Sequence, residues 1–199
     1  MSGGGARSDN EAKYRSRNPV VRHLVARFLR QVGDLAVAQR PRRVLEVGCG
    51  EGIVLEYLGA RLPDARLEGL ELDEGALAGA RARCPGATLV RGDACELPFG
   101  GRCFDLVVCL EVLEHLPDPA RALAELRRVA RQGCLVSVPH EPFFRLGNAL
   151  RGKNLTRFGD PTDHRQHWSA ATFTAFCSRE LSVRVRTGAF PWLIVYGTV

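Results

Sequence analysis

The sequence predicts an α/β fold built on one doubly wound, mostly parallel sheet of seven strands. Short apolar segments alternate with segments of helical periodicity along most of the 199 residues, which is the order expected of a βαβα chain. The segment from Phe104 to Leu110 is apolar at all but one position, as expected of a strand that is buried on both faces. The strand at residues 44–47 runs directly into a glycine turn. In such sheets, ligands are expected at the carboxyl ends of the strands.

Each element is supported by its own local pattern. Apolar residues recur at helical spacing from Val20 to Val32, so an amphipathic helix is predicted after Asn18-Pro19. The predicted helices after this one begin near Ile53, after the cap Asp73, after residues 117–119 with a stop at Gly133, and at residues 170–176. The predicted strands after the first are residues 66–72, 87–90, 104–110, 134–138, 181–185 and 192–199. We therefore expect one domain over residues 11–199, preceded by a disordered tail at residues 1–10.

The glycine turn is the most informative stretch. Gly48, Gly50 and Gly52 follow the first strand at every second position, which permits positive φ angles and lets a ligand lie against the main chain. The helix that begins near Ile53 presents free N–H groups to the same place. A dinucleotide-binding turn would carry its third glycine at position 53, one residue later than here. Glu46 adds a carboxylate two residues before the first glycine. A nucleotide site and a turn with chance glycines remain alternatives at this point.

Carboxylates also follow the ends of the next two strands. Glu71 ends the second strand, where a carboxylate can accept hydrogen bonds from both hydroxyls of a ribose. Asp93 follows the third strand, where it can accept from an exocyclic amine such as adenine N6. For either residue alone, the alternative is a helix-capping or turn-forming role.

Five sequence stretches in register resemble one family. They are VLEVGCGEG, GLELD, GDACELPF, FDLVVCLEVLEHLPDP and VSVP. In this order and spacing they resemble the class I S-adenosylmethionine (SAM)-dependent methyltransferases of type 11, the small-molecule branch that includes quinone, sterol and natural-product enzymes. The resemblance implies a Rossmann-like sheet with helices on both faces and an antiparallel strand pair at one edge. It also implies SAM as the cofactor and S-adenosylhomocysteine as its product.

The resemblance assigns expected cofactor-binding roles to residues of this chain. The methionine end of SAM would be held by Glu46, Gly48, Cys49, Gly50 and Gly52. Glu71 would bind the ribose, and Leu72 would lie against the adenine. The remaining expected contacts are Asp93 and Ala94 at the adenine edge, and Leu110 and Glu111 at the amino acid moiety.

Departures from related enzymes narrow the substrate. Methyltransferases that act on DNA bases or on protein glutamine carry Asn/Asp-Pro-Pro-Tyr after the fourth strand, whereas this chain reads Leu-Glu-Val-Leu at residues 110–113. The Lys and Asp metal-ligand pattern of catechol-type enzymes is not evident either. We therefore predict no metal and no planar amide or amine of those kinds as the acceptor.

Two additions to the core are expected to face the substrate. One is the N-terminal helix region, residues 11–32, where Tyr14 is predicted to contact the substrate. The other is the predicted lid at residues 140–168, where His140, Phe143 and His164 are predicted to contact it. His140 or His115 could accept a proton from the attacking group, which is worth roughly 10²–10⁴-fold in rate. The alternatives are a hydrogen-bonded loop anchor for His140 and for His164, and a brace of the turn for His115.

A further interpretation concerns the end of this lid. Trp168 precedes the predicted cap Ser169, and Phe173 follows four residues later, which is the spacing of a hydrophobic staple. We therefore expect Trp168 to have a structural role rather than to contact the substrate.

Composition sets the broader limits. The net charge is +6, and 26 of the 28 basic residues are arginine, yet they are dispersed along the chain without a basic block. We favour a composition bias over nucleic-acid binding. The N-terminus has no apolar core of a signal peptide, and no run of eighteen apolar residues occurs. Seven cysteines without a C-x-x-C pair fit a reducing, cytoplasmic location better than a zinc site or a disulfide scaffold.

The sequence therefore predicts a cytoplasmic SAM-dependent methyltransferase. Its expected reaction is methyl transfer to an oxygen, nitrogen or carbon nucleophile of a small molecule, in secondary-metabolite or quinone-like biosynthesis. The alternatives are an RNA or protein methyltransferase, and a SAM-binding member of the fold that transfers no methyl group. The sequence leaves monomer and homodimer open.

Overall fold

The computed structural model describes Tyr14, residues 16–140 and residues 166–199. The helices within these residues are α1 (Pro19–Ala38), α2 (Ile53–Arg61), α3 (Glu74–Arg83), α4 (Pro119–Val129) and α5 (Ala170–Cys177). The strands are β1 (Arg43–Val47), β2 (Arg66–Glu71), β3 (Thr88–Arg91), β4 (Phe104–Leu110), β5 (Ala130–Pro139), β6 (Ser182–Ala189) and β7 (Trp192–Thr198). The predicted tail and most of the predicted lid lie outside the described residues. Of the helices described, none combines the length and the hydropathy needed to cross a bilayer.

The seven strands form one sheet in the order β3-β2-β1-β4-β5-β7-β6. The first five in this order pair in parallel, and β7 pairs antiparallel with both β5 and β6. The predicted doubly wound, mostly parallel sheet is thus confirmed. The reversed strand is β7, one place in from the edge strand β6. β1 and β4 are neighbours at the centre of the sheet, and the connections that leave them run to opposite edges. In such sheets the ligand-binding crevice forms at the carboxyl ends of these two central strands.

Apolar side chains cover both faces of the sheet. β4 is buried at every position and β1 at four of its five positions. On one face α1 and α2 contribute Phe28 and Leu58 to a core cluster. On the other face α4 and α5 contribute Leu123 and Phe173. Because the faces are covered by helices, the ends of β1 and β4 are the places where a ligand can approach these strands.

The junction of α4 and β5 differs from the prediction. The helix ends at Val129 and the strand begins at Ala130, whereas Gly133 was predicted to stop the helix. Ala130 already has extended backbone angles, and its partner in β4 is Phe104. A Cβ at Gly133 would lie 2.5 Å from the carbonyl oxygen of Gly197. This glycine therefore permits close packing of β5 on β7, and it does not end the helix.

Side chains cap the starts of α1 and α3, and the cap at Asp73 was predicted. The Asn18 side chain accepts a hydrogen bond from the Val20 N–H at 2.9 Å, and α1 continues past Val32 to Ala38. Asp73 accepts from the Ala76 N–H at 2.7 Å.

The predicted staple at the start of α5 is also present. Ser169 and Thr172 form a reciprocal capping box, and the rings of Trp168 and Phe173 lie 5.6 Å apart. Trp168 is therefore part of the core of this helix start, as the spacing predicted.

Candidate functional site

The glycine turn leaves β1 at the carboxyl end of the sheet. Gly48, Gly50 and Gly52 all have positive φ angles, of 75°, 52° and 79°. A Cβ at Gly48 would lie 2.4 Å from Cγ2 of Val112, so this position is closed by the segment that follows β4. A Cβ at Gly50 would meet nothing within 4 Å. The turn is thus packed against protein at Gly48 and open at Gly50, which leaves room for a ligand against the main chain.

Glu46 lies in β1 beside this turn and is the most unusual polar residue of the site. Its side chain is only 3% exposed, and Oε2 has no hydrogen-bond partner in the part of the chain that the structure describes. Burial raises the pKa of this carboxyl well above its ordinary value, and the nearby Glu71 carboxylate raises it further. A buried carboxylate without a partner is costly, so it indicates a place where a cationic donor belongs.

Glu71 connects the end of β2 to the glycine turn. Its Oε2 accepts a hydrogen bond from the Gly50 N–H at 2.9 Å. Its Oε1 accepts from the N–H groups of Leu72 at 2.8 Å and Asp73 at 3.0 Å. These three bonds hold the carboxylate in one orientation beside the open side of the turn. Leu72 is 59% exposed next to it, where the sequence predicted contact with an adenine.

The next predicted pair, Asp93 and Ala94, follows β3. Asp93 Oδ1 accepts from the Cys95 N–H at 2.8 Å, which is the turn-forming role named as its alternative. Ala94 is buried in the core cluster under α4. The adenine-edge role of this pair stays a prediction.

Glu111 follows Leu110, the last residue of β4, and has a left-handed backbone with φ of 59°. Its N–H donates to the Ser137 carbonyl at 3.1 Å, and its Oε1 accepts from the Ser137 hydroxyl at 3.2 Å. Positive φ at a buried glutamate costs backbone energy that the surrounding bonds must offset. The structure thus fixes a second buried carboxylate near Glu46.

Tyr14 reaches this acidic region from the N-terminal segment. Burial raises the pKa of its hydroxyl, and the carboxylates of Glu111 and Glu46 raise it further. The ring also packs against the core cluster of α1. The structure therefore brings Tyr14 to the same end of the sheet as Glu46 and Glu111.

The predicted proton acceptors are only partly placed by the structure. The N–H of His140 donates to the Pro191 carbonyl at 2.8 Å, and its backbone pairs with Trp168, so its main chain is anchored on both sides. His115 Nε2 lies 3.8 Å from Oε1 of the buried Glu114, and its N–H donates to the Val112 carbonyl. Both backbones thus have the anchoring roles named as alternatives. Phe143 and His164 lie outside the described residues.

Two residues of the site were missed by sequence reasoning. Glu114 is buried, and its carbonyl accepts from the Gln166 N–H at 3.1 Å, which ties the segment after β4 to the start of the last part of the chain. Ser137 is buried and bonded to Glu111. Both lie in stretches quoted for the resemblance, so a polar residue inside an otherwise apolar motif was the available signal.

The polar side chains beside the glycine turn are mainly acidic. Glu46 and Glu71 form no ion pair within the described residues, although arginines elsewhere are paired with carboxylates, as in Arg43–Glu68 and Arg131–Asp105. The site is therefore suited to a positively charged ligand. Among the residues described there is no group of three or more His, Cys, Asp or Glu side chains that could hold a metal ion. The prediction of a metal-free reaction stays a prediction.

Comparison with known proteins gives this site a family. Residues 45–138 match a family model described as a methyltransferase domain. A probable S-adenosylmethionine-dependent methyltransferase of Mycolicibacterium smegmatis is 41% identical over 110 residues, which are 53% of this chain and 41% of that protein. Over residues 45–138 this chain is therefore similar to SAM-dependent methyltransferases. The phthiotriol/phenolphthiotriol dimycocerosates methyltransferase of Mycobacterium tuberculosis is 43% identical to it over 94 residues, covering 46% of this chain and 35% of that protein.

Solved structures share the fold of this methyltransferase domain. The magnesium protoporphyrin IX methyltransferase of Synechocystis PCC 6803 with bound S-adenosylhomocysteine has a TM-score of 0.69 at 18% identity, covering 96% of this chain and 95% of that chain. An O-methyltransferase family protein of Burkholderia thailandensis has a TM-score of 0.70 at 14% identity, covering 88% and 56%. At these identities the likeness shows the fold alone.

The predicted family and its cofactor class are thus confirmed for the methyltransferase domain. The matched region spans less than half the length of the curated relatives named above. The roles of individual residues in this domain, and the acceptor, stay predictions.

Proposed function

We propose that this chain binds SAM at the carboxyl ends of β1 and β2 and transfers its methyl group to an oxygen, nitrogen or carbon nucleophile of a small molecule. The observation that carries the proposal is Glu46, a buried carboxylate whose Oε2 has no partner within the described residues. The methionine part of SAM carries an ammonium group that could donate to this oxygen. A charge-assisted bond of that kind would offset the cost of burying the carboxylate.

The rest of the turn supports the same orientation. The open space at Gly50 would let the cofactor lie on the main chain there. Gly48, Cys49 and Gly52 are proposed to contact it through their backbone, because protein atoms already fill the space beside Gly48 and Gly52. Two oxygens of Glu71 have about four acceptor positions, and three are used by N–H groups of the chain. Glu71 therefore has room for one direct ribose hydroxyl, on Oε2, rather than the two predicted from the sequence. Leu72 presents an exposed apolar side chain on which an adenine could stack.

The chemistry divides between the cofactor and the chain. When bound, SAM supplies a methyl group on a positively charged sulfur, which makes it an intrinsically reactive donor. The chain's contribution is to position this donor and exclude water. Glu46 and Glu71 would fix the methionine and ribose parts of the cofactor, and their charge favours the cationic sulfonium over a neutral thioether.

A proton from an O–H or N–H acceptor would need a base, for which His140 and His115 are the proposed candidates. A proton taken up by His115 would lie near the buried Glu114 carboxylate, 3.8 Å from Nε2. Tyr14, His140, Phe143 and His164 are proposed to contact the acceptor.

The names of the relatives favour a small-molecule acceptor. They include the phthiotriol/phenolphthiotriol dimycocerosates methyltransferase named above and a trans-aconitate 2-methyltransferase of Methylobacterium nodulans, which is 39% identical over 118 residues. Several arginines of the described residues form ion pairs, which supports dispersed charge over a nucleic-acid-binding face; examples are Arg81–Glu74, Arg83–Glu56 and Arg128–Glu125. All seven cysteines are free thiols, which supports the proposed cytoplasmic location.

The test is methyl transfer from SAM labelled on its methyl group into a whole extract, separated into small-molecule, RNA and protein fractions. We expect label in the small-molecule fraction with the wild type and strongly reduced label with Glu46→Gln. Label in RNA or protein would contradict the proposed acceptor class. Binding of S-adenosylhomocysteine without transfer to any fraction would instead favour a member of the fold that does not methylate.

A further inference from the structure

Three of the four large exposed apolar side chains in the described residues lie at the end of the sheet that carries the site. The described part of the chain has four large exposed ones: Val20 at 65%, Leu72 at 59%, Phe190 at 50% and Val37 at 38%. Leu72 directly follows β2. Phe190 follows β6, which runs in the same direction as β5 because both pair antiparallel with β7. These two residues therefore lie at the carboxyl ends of the strands.

Val20 lies at the same end because of how α1 packs. The ring of Phe28 lies 4.9 Å from that of Trp192, and Trp192 pairs with Pro139, the last residue of β5. The chain from Phe28 back to Val20 is helical, so Val20 lies about 12 Å beyond Phe28 along the helix axis, toward the start of α1. The first two turns of α1 thus project beside the opening of the site, and only Val37 lies at the opposite end.

Unpaired positive charge accompanies these apolar side chains. Arg17, Arg22 and Arg27 are exposed and have no carboxylate partner within the described residues. No Asp or Glu occurs between Asn18 and Asp34, so nothing on α1 itself offsets this charge. The first part of α1 is therefore a basic surface helix with an exposed valine at its start.

We infer that Arg17, Val20, Arg22 and Phe190, here called the mouth surface, dock on an anionic lipid bilayer. Arginines attract the phosphates of anionic lipids, and apolar side chains beside them enter the boundary between headgroups and acyl chains. Exposed apolar side chains at the same end of the sheet as unpaired arginines are the combination that binding to the surface of an anionic bilayer uses. The exposed face of α1 carries no Phe, Tyr or Trp on which bases could stack, so a single-stranded nucleic acid fits it less well.

This inference rests on the proposed function and names the acceptor class for it. With the mouth surface on the bilayer, the carboxyl end of the sheet faces the lipid phase. The small-molecule acceptor is then a membrane lipid that enters the site without crossing water.

The test is co-sedimentation with vesicles of equal parts phosphatidylcholine and phosphatidylglycerol, measured without SAM so that it is independent of methyl transfer. The double variant Arg17→Ala/Arg22→Ala is compared with Arg42→Ala/Arg66→Ala, which removes the same charge from exposed arginines at the amino ends of β1 and β2. Each arginine removed should lower the affinity for the vesicles about fivefold, so the first variant should bind roughly 25-fold more weakly than the wild type. The second should bind like the wild type. Equal losses in both variants, or no loss in the first, would overturn the inference.

The apolar part is tested at high salt, where charge attraction is screened. Val20→Ser/Phe190→Ser should lose the binding that the wild type retains there, and Val37→Ser should not. Complete loss of wild-type binding at high salt would overturn the apolar contact. Tighter binding to a single-stranded RNA, abolished by Arg17→Ala/Arg22→Ala while vesicle binding persists, would overturn the lipid assignment. Titration of each variant with S-adenosylhomocysteine reports separately on the proposed cofactor site.

Discussion

Two buried carboxylates on neighbouring central strands behave in opposite ways. Asp105, at the amino end of β4, is 6% exposed and accepts hydrogen bonds from the N–H groups of Arg42 and Arg43 and from the Arg131 side chain, at 2.9, 3.0 and 3.1 Å. Glu46, near the carboxyl end of β1, is 3% exposed, and its Oε2 has no partner within the described residues. The chain itself supplies hydrogen-bond donors to Asp105, whereas it leaves Oε2 of Glu46 without a donor among the described residues.

This difference separates structural from functional charge. Asp105 ties the start of β1 to β4 and β5, so its charge contributes to the free energy of unfolding. Glu46 lowers that free energy, because its desolvation is not offset by protein contacts. The desolvation cost of such a carboxylate is offset when a cationic ligand binds to it. The two residues therefore predict opposite outcomes when they are replaced.

The largest effect should follow Asp105→Ala. The N–H groups of Arg42 and Arg43 would lose their acceptor, which costs about 2–4 kcal/mol of unfolding free energy for two backbone donors and a charged partner. For a chain of this length that corresponds to a fall in Tm of roughly 5–15 °C. Calorimetry would measure it, with Asp105→Asn as the control that retains one acceptor. An equal loss of stability in Glu46→Gln would remove the distinction between the two carboxylates.

Glu46→Gln should affect binding rather than folding. Loss of a charge-assisted hydrogen bond should weaken SAM and S-adenosylhomocysteine by roughly 10–100-fold. The unfolding free energy of the ligand-free protein should stay equal or rise, because an amide is cheaper to bury than an unpaired carboxylate. Calorimetric titration and urea unfolding measure the two quantities. Unchanged affinity with lower stability would make Glu46 a structural residue.

The glycine turn offers a smaller version of the same contrast. Gly48→Ala places a Cβ 2.4 Å from Val112, so it should cost about 2–3 kcal/mol of stability from the clash and the positive φ together. Gly50→Ala enters open space and should cost only about 1 kcal/mol for its positive φ, yet it should weaken cofactor binding more than it weakens folding. Val112→Ala should partly rescue the stability of Gly48→Ala. Equal effects of the two glycines on S-adenosylhomocysteine binding per folded molecule would contradict this assignment.

The sequence predicted the site better than the contacts that support it. The glycine turn and Glu71 are local patterns at strand ends, so their position follows from the order of elements. The role of Asp105 depends on β1 and β5, which lie far away in the chain, and its only signal was a polar residue in an apolar strand. Gly133 was misread as a helix stop because its close neighbour, Gly197, is contributed by β7. Local sequence patterns thus predicted the residues that face the ligand. The roles of Asp105 and Gly133 depend on residues far away in the chain, so local patterns could not predict them.

The smallest effect is a difference between two pH profiles, and it depends on the sign of the pKa shift. Burial, and then the Glu71 carboxylate, raise the pKa of Glu46 above the ordinary glutamate value of 4.5. The protonated form is therefore favoured in the folded protein. Its contribution to stability is complete below the unfolded pKa and is lost as pH rises through the folded pKa.

It follows that the unfolding free energy of Glu46→Gln minus that of the wild type should increase with pH above 4.5 in the absence of ligand. Affinity for SAM should depend on pH in the opposite way, because the ammonium group needs the ionised carboxylate. Wild-type binding should therefore strengthen as pH rises above 4.5, and binding by Glu46→Gln should change less. Urea unfolding and calorimetric titration at matched pH values measure both trends, and titrations of other groups cancel in the difference. A stability difference that stays flat or falls with pH would mean that Glu46 is already compensated by its own protein, and the contrast with Asp105 would fail.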